Sequence, residues 1–88
     1  MIKIEHVALL INKELEIKYS LGTQLWLARF KNGELMRNGC LGSIHGQGKS
    51  PNEALEAYVE QIKGYPMAFN TMDSLKREEF NMPKELIA

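Results

Sequence analysis

Residues 50–64 constrain the fold more than any other part of this chain, because they specify both ends of one amphipathic helix. Ser50 supplies a capping oxygen, and Pro51 falls at the first helical position, where its missing N–H costs nothing. Glu53 stands three residues after the cap, the spacing of a capping box. Leu55, Tyr58, Val59 and Ile62 recur at i, i+3, i+4 and i+7 with Ala54 beside them, while Glu53, Glu56, Glu60 and Lys63 take the opposite side. Gly64 is a natural stop, and Pro66 forbids continuation. The spacing predicts a helix over 50–63 that needs an apolar surface to lie on.

The preceding residues supply strands. Leu15, Ile17, Tyr19 and Leu21 alternate with Glu16, Lys18 and Ser20, the pattern of a half-buried strand over 15–21. Gly22-Thr23 then makes a tight connection into a second strand over 24–30. In that strand Leu25, Leu27 and Arg29 point one way, and Trp26, Ala28 and Phe30 the other. Lys31-Asn32-Gly33-Glu34 predicts a type I′ hairpin, with a third strand returning over 35–38. Gly39, Gly42, Gly46 and Gly48 interleave with Cys40, Leu41 and Ile44, either as a bulged strand or as two short arms around a turn at Leu41-Gly42.

The flanks are weaker. Val7, Leu10 and Ile11 share a helical face with Ile4 one turn earlier, which favours a short helix near 4–12; read at period two, Ile2 and Ile4 form a strand instead. After the main helix, residues 67–69 read as a short strand, 73–79 as a polar turn of helix or a loop, and Phe80, Met82 and Pro83 as a closing edge strand. Residues 84–88 are expected to fray. The resulting expectation is a single α+β domain over 1–83, of order β-β-β-α-β with or without the N-terminal helix. An antiparallel sheet of three to four strands carries the main helix on one face. The second strand is apolar on both faces, so the far face is covered either by the N-terminal segment or by another subunit.

At 88 residues the chain can bury one small core, and at 44% apolar and 25% charged it is too apolar for wholesale disorder. Cys40 is the only cysteine, which excludes a disulfide framework and suits a reducing, cytoplasmic compartment. The longest uncharged apolar run, 7–11, is far short of a membrane span, and Glu5, Glu14 and Glu16 interrupt any leader-like start. Net charge is zero, but residues 1–49 carry seven Lys or Arg against four Glu, and residues 50–88 four against seven acidic groups. That dipole can steer a partner, but it is not the basic stripe that duplex nucleic acid demands.

Gly46-Gln47-Gly48-Lys49-Ser50 invites comparison with a phosphate loop, yet Ser43 stands where the first glycine of a Walker A loop belongs, and a turn leading into a helix cap accounts for these residues better. Cys40, His45 and His6 lack metal-ligand spacing, and nothing orients a Cys-His pair for catalysis. Glu14/Glu16 and Glu78/Glu79 read as surface carboxylates. No catalytic residue, cofactor site or metal ligand is assigned. Basic and aromatic residues on the strands, namely Tyr19, Trp26, Arg29, Phe30, Arg37 and Lys49, form the candidate binding face, since stacking rings interleaved with cations suit single-stranded nucleic acid.

Residues 46–64, with the apolar group 67–69 and the late Pro83, resemble small uncharacterised proteins of phages and prophages of Gram-positive bacteria. Gly39-Cys40 and Ser50-Pro51-Asn52-Glu53-Ala54 are also similar to the partial-RNase-like, double-stranded-RNA-binding-domain-like domain of HicB-type antitoxins. That likeness implies a β-β-β-α-β order and a toxin partner. The expected role is a non-enzymatic protein-binding or adaptor protein, with an unidentified protein partner and a homodimer as its associations. A nucleic-acid-binding module and an HicB-like antitoxin remnant are the alternatives.

Overall fold

The computed structural model describes all 88 residues. The main helix, α2 (Pro51–Ile62), starts as its sequence requires: Ser50 Oγ accepts from the Glu53 N–H at 3.1 Å. The reciprocal arm differs from a standard capping box, because Glu53 Oε2 accepts from the Lys49 N–H at 2.7 Å, one residue before the cap. Gly64 adopts φ 78 and donates to the Met82 and Pro83 carbonyls, so the helix stop also docks the C-terminal segment. Ala54, Leu55, Tyr58, Val59 and Ile62 are buried, as the periodicity demands.

The other elements, in chain order, are β1 (Ile2–Lys3), α1 (Ile4–Ile11), β2 (Leu15–Ser20), β3 (Leu25–Phe30), β4 (Gly33–Arg37), β5 (Cys40–Gly42) and β6 (Gly46–Gly48), then β7 (Pro66–Phe69), β8 (Glu78–Asn81) and β9 (Leu86–Ile87) after α2. The fold is α+β, with two antiparallel sheets where one was expected. A three-stranded sheet has order β2-β3-β6, a four-stranded sheet has order β5-β4-β7-β8, and β1 pairs in parallel with β9.

The expected hairpin at Asn32-Gly33 is not one. Only Asn32 has positive φ there, and the chain turns a corner from one sheet into the other. Gly33 serves packing: a Cβ would stand 2.9 Å from Phe30 Cβ and 3.0 Å from Phe69 Cε1. The type I′ chemistry sits one Asn-Gly pair later. Asn38 (φ 53) and Gly39 (φ 77) join Arg37 to its cross-strand partner Cys40. The glycine-rich stretch does form two arms, but they belong to different sheets, and the chain leaves the ladder at 43–45 rather than turning at Leu41-Gly42.

The N-terminal segment forms the short helix α1 from Ile4, and the strand alternative holds only for the two residues of β1 before it, Ile2–Lys3. Helix α1 buries Ile4, Val7 and Ala8, whereas Leu10 is 82% exposed. Five consecutive apolar residues, 7–11, allow more than one stripe at helical spacing, and the one continuing Ile4 faces inward. These side chains join the same core as α2 and therefore do not cover the far face of the β2-β3-β6 sheet. Residues 84–88 do not fray in this structure. Leu86 pairs with Ile2 and is 3% exposed, tying the two ends of the chain together.

Candidate functional site

Strand β2 forms one edge of its sheet along its full six residues. Its register against β3 pairs Glu16 with Arg29, Ile17 with Ala28, Lys18 with Leu27 and Tyr19 with Trp26. Directly opposed residues share a face, so two surfaces follow. On the α2 side lie Leu15, Ile17 and Tyr19, then Phe30, Ala28 and Trp26, then Gly46 and Gly48. On the far side lie Glu16, Lys18 and Ser20 with Leu25, Leu27 and Arg29.

The free edge has a definite hydrogen-bonding phase. The Lys31 N–H donates to the Glu14 carbonyl at 2.8 Å, one step beyond the Leu15–Phe30 pair, so 14 and 31 are a hydrogen-bonded pair. Alternation then turns the backbone groups of Glu16, Lys18 and Ser20 toward β3, and those of Leu15, Ile17 and Tyr19 outward. The outward groups have no strand partner. Beside them Ile17 and Tyr19 are 39% and 46% exposed, and the Tyr19 and Trp26 rings meet edge to face at 5.5 Å. On the far side, Arg29 Nε donates to Glu16 Oε1 at 3.3 Å. Glu16, Lys18, Leu27, Arg29 and His45 line an open hollow of about 100 Å³, where the Gln47 amide donates to His45 Nε2 at 3.0 Å.

The six residues of the expected binding face are dispersed. Tyr19 and Trp26 meet, but Phe30 is fully buried between Tyr58 and Phe69. Arg29 lies on the opposite sheet face. Arg37 belongs to the other sheet and stacks 5.1 Å over the Tyr65 ring. Lys49 sits at the start of α2, its N–H taken by Glu53. An even spacing of rings and cations along the chain does not survive the two-sheet topology.

The loop entering α2 is likewise occupied by packing. A Cβ on Gly46 would stand 2.1 Å from the Ala54 carbonyl oxygen, and one on Gly48 2.6 Å from the Ala54 nitrogen, so these glycines let β6 lie directly beneath the helix. Ser50 Oγ and Glu53 Oε2 already accept from the Glu53 and Lys49 N–H groups, two of the donors at the helix start. Cys40 is exposed on the β4-β5 hairpin, away from the hollow that holds His45, and no three His, Cys, Asp or Glu residues converge on a metal position. Each member of the two carboxylate pairs has a cation: Glu14 with Lys31, Glu16 with Arg29, Glu78 with Lys13 and Glu79 with Arg77.

The one strongly perturbed group is structural. Burial pushes the Tyr58 hydroxyl up to about 12, partly offset by the Phe30 N–H and by Arg29. Its oxygen accepts from that N–H at 3.0 Å, joining α2 to β3.

The fold is a small α+β domain in which β2 pairs with β3 alone and leaves its other edge open. No family model, curated protein or solved structure matches the chain. No helix is long and apolar enough to cross a membrane.

Proposed function

We propose that this protein is a non-enzymatic binding or adaptor module that recognises an extended protein segment by strand addition at β2. The observation that carries this reading is the edge itself: six residues with outward backbone groups at Leu15, Ile17 and Tyr19, and half-exposed apolar side chains alternating with charges. Main-chain hydrogen bonds supply affinity in this mode, and alternate side chains supply selectivity. The exposed, unpaired Cys40 fits a reducing compartment, which supports a cytoplasmic adaptor. The likeness of residues 46–64 to phage and prophage proteins supports an adaptor of that origin.

Nucleic-acid binding receives no specific support from the geometry, because the rings and cations that suggested it lie on separate surfaces. Panning of a random-peptide display library tests the proposal. Enriched peptides should read as alternating, extended segments and shift the Leu15, Ile17 and Tyr19 amides in NMR titrations. They should lose binding to Ile17→Pro, a change an edge strand tolerates because only the outward N–H is removed. Peptides that bind Ile17→Pro equally well would refute strand addition at this edge.

A further inference from the structure

We propose that the strand received by β2 is β2 of a second copy, paired antiparallel about a two-fold axis through Ile17. This rests on the strand-addition reading and names its partner. The segment Leu15-Glu16-Ile17-Lys18-Tyr19 is a palindrome of residue type with its charges inverted. Centred on Ile17, it sets Glu16 opposite Lys18 of the second copy, Lys18 opposite Glu16, and Leu15 opposite Tyr19. A symmetric interface requires such self-complementarity of a single patch.

The hydrogen-bonding phase agrees with this register. Leu15, Ile17 and Tyr19 are the residues whose backbone groups point outward, and the pairing matches each of them with another of the set. The neighbouring registers are disfavoured. A slip of one residue pairs outward groups with inward ones and moves apolar side chains to the charged face. A slip of two sets Glu16 against Glu16 or Lys18 against Lys18, like charges directly opposed.

The axis stands perpendicular to the sheet, so the two three-stranded sheets become one six-stranded sheet with both α2 helices on the same side. Ile17 and Tyr19, 39% and 46% exposed in the single chain, then lie in a strip running from Trp26 of one copy to Trp26 of the other. On the far face Arg29, Glu16 and Lys18 of the second copy alternate in sign across the strands, extending the Arg29–Glu16 pair already present. An edge lysine alone discourages pairing; opposite a glutamate it selects it.

Sedimentation of the full chain at low salt, up to roughly 0.1 mM because strand-edge contacts are small and transient, tests the inference. The wild type should dimerise with concentration. Glu16→Lys and Lys18→Glu alone should each dimerise at least tenfold more weakly, and their equimolar mixture should recover a heterodimer, which also shows that both variants fold. A second measurement uses Ile17→Cys in a Cys40→Ser background. Opposed hydrogen-bonded residues have Cα atoms about 5.5 Å apart, within disulfide reach, so oxidation should give a covalent dimer. A monomeric wild type, or a mixture no more associated than the single variants, would overturn the pairing. If that monomer still binds display-selected peptides at β2, the adaptor reading survives; if it binds neither, both fail.

Discussion

Gly46→Ala probes the contact on which the architecture turns. A Cβ at that position would stand 2.1 Å from Ala54 O, 2.4 Å from Tyr58 N and 2.8 Å from Tyr58 Cβ. Non-bonded heavy atoms settle near about 3.5 Å, so the middle of α2 must withdraw from β6 by roughly 1 Å or more. The obstacle is helix backbone, which cannot rotate aside, and its retreat loosens the packing of Ala54, Leu55 and Tyr58 together. Overpacking costs about 1–3 kcal/mol, and a backbone clash belongs at the upper end. About 3 kcal/mol is a large share of the ~5–15 kcal/mol that stabilises a domain of this kind. It corresponds to a fall in melting temperature of roughly 12–24 °C. Urea unfolding followed by far-UV circular dichroism should show the midpoint falling at unchanged slope. Gly42→Ala is the control, since nothing lies within 4 Å of its added Cβ and its φ is not positive. If Gly46→Ala is as stable as Gly42→Ala, α2 does not lie on β6 and the fold described above is wrong.

Three further outcomes follow from the core. Tyr58→Phe leaves the buried Phe30 N–H without its acceptor and should cost about 1–3 kcal/mol in the same urea assay; an unchanged midpoint would remove the α2–β3 link. Burial raises the Tyr58 hydroxyl from 10.0 to about 12, so its neutral form is favoured in the fold. The associated stability is therefore complete below the unfolded value and is lost as pH rises through the window between the two, by about 2–3 kcal/mol. Urea midpoints across that window should fall for the wild type, and Tyr58→Phe should lack this part of the slope. Leu86→Ala should cost about 2–3 kcal/mol, because Leu86 is 3% exposed and paired with Ile2, whereas in a frayed tail the change would be silent in a thermal melt.

The contrast between α2 and the two Asn-Gly pairs shows which parts of this fold are legible in sequence. Helix α2 is specified locally: its cap, first-turn proline, stripe and stop lie within fifteen consecutive residues, 50–64, and each acts on a neighbour. Asn32-Gly33 and Asn38-Gly39 carry the same local preference, and either can form a type I′ turn. What separates them is tertiary. Gly33 is wedged between Phe30 and Phe69, and β7, arriving more than thirty residues later, takes the place beside β4 that a hairpin would have given to β3. Residues 84–88 were obscure for the same reason, since a two-residue parallel pairing across the whole chain leaves no periodicity to read.

The candidate site divides along the same line. Alternation in 15–21 and 24–30 reveals which side chains share a face, and it already separates Arg29 from Trp26. It does not reveal that Phe30 is enclosed by Tyr58 and Phe69, because that burial depends on how the second sheet folds back. Nor can it reveal that β2 is an edge, since edge position is a property of strand order. Yet the inverted-charge palindrome around Ile17 is present in the sequence, and in a central strand it would be idle, with neighbours on both sides already chosen. The topology leaves the outward backbone groups of Leu15, Ile17 and Tyr19 without a strand partner. In the proposed dimer, that charge pattern, otherwise ordinary surface decoration, selects the register.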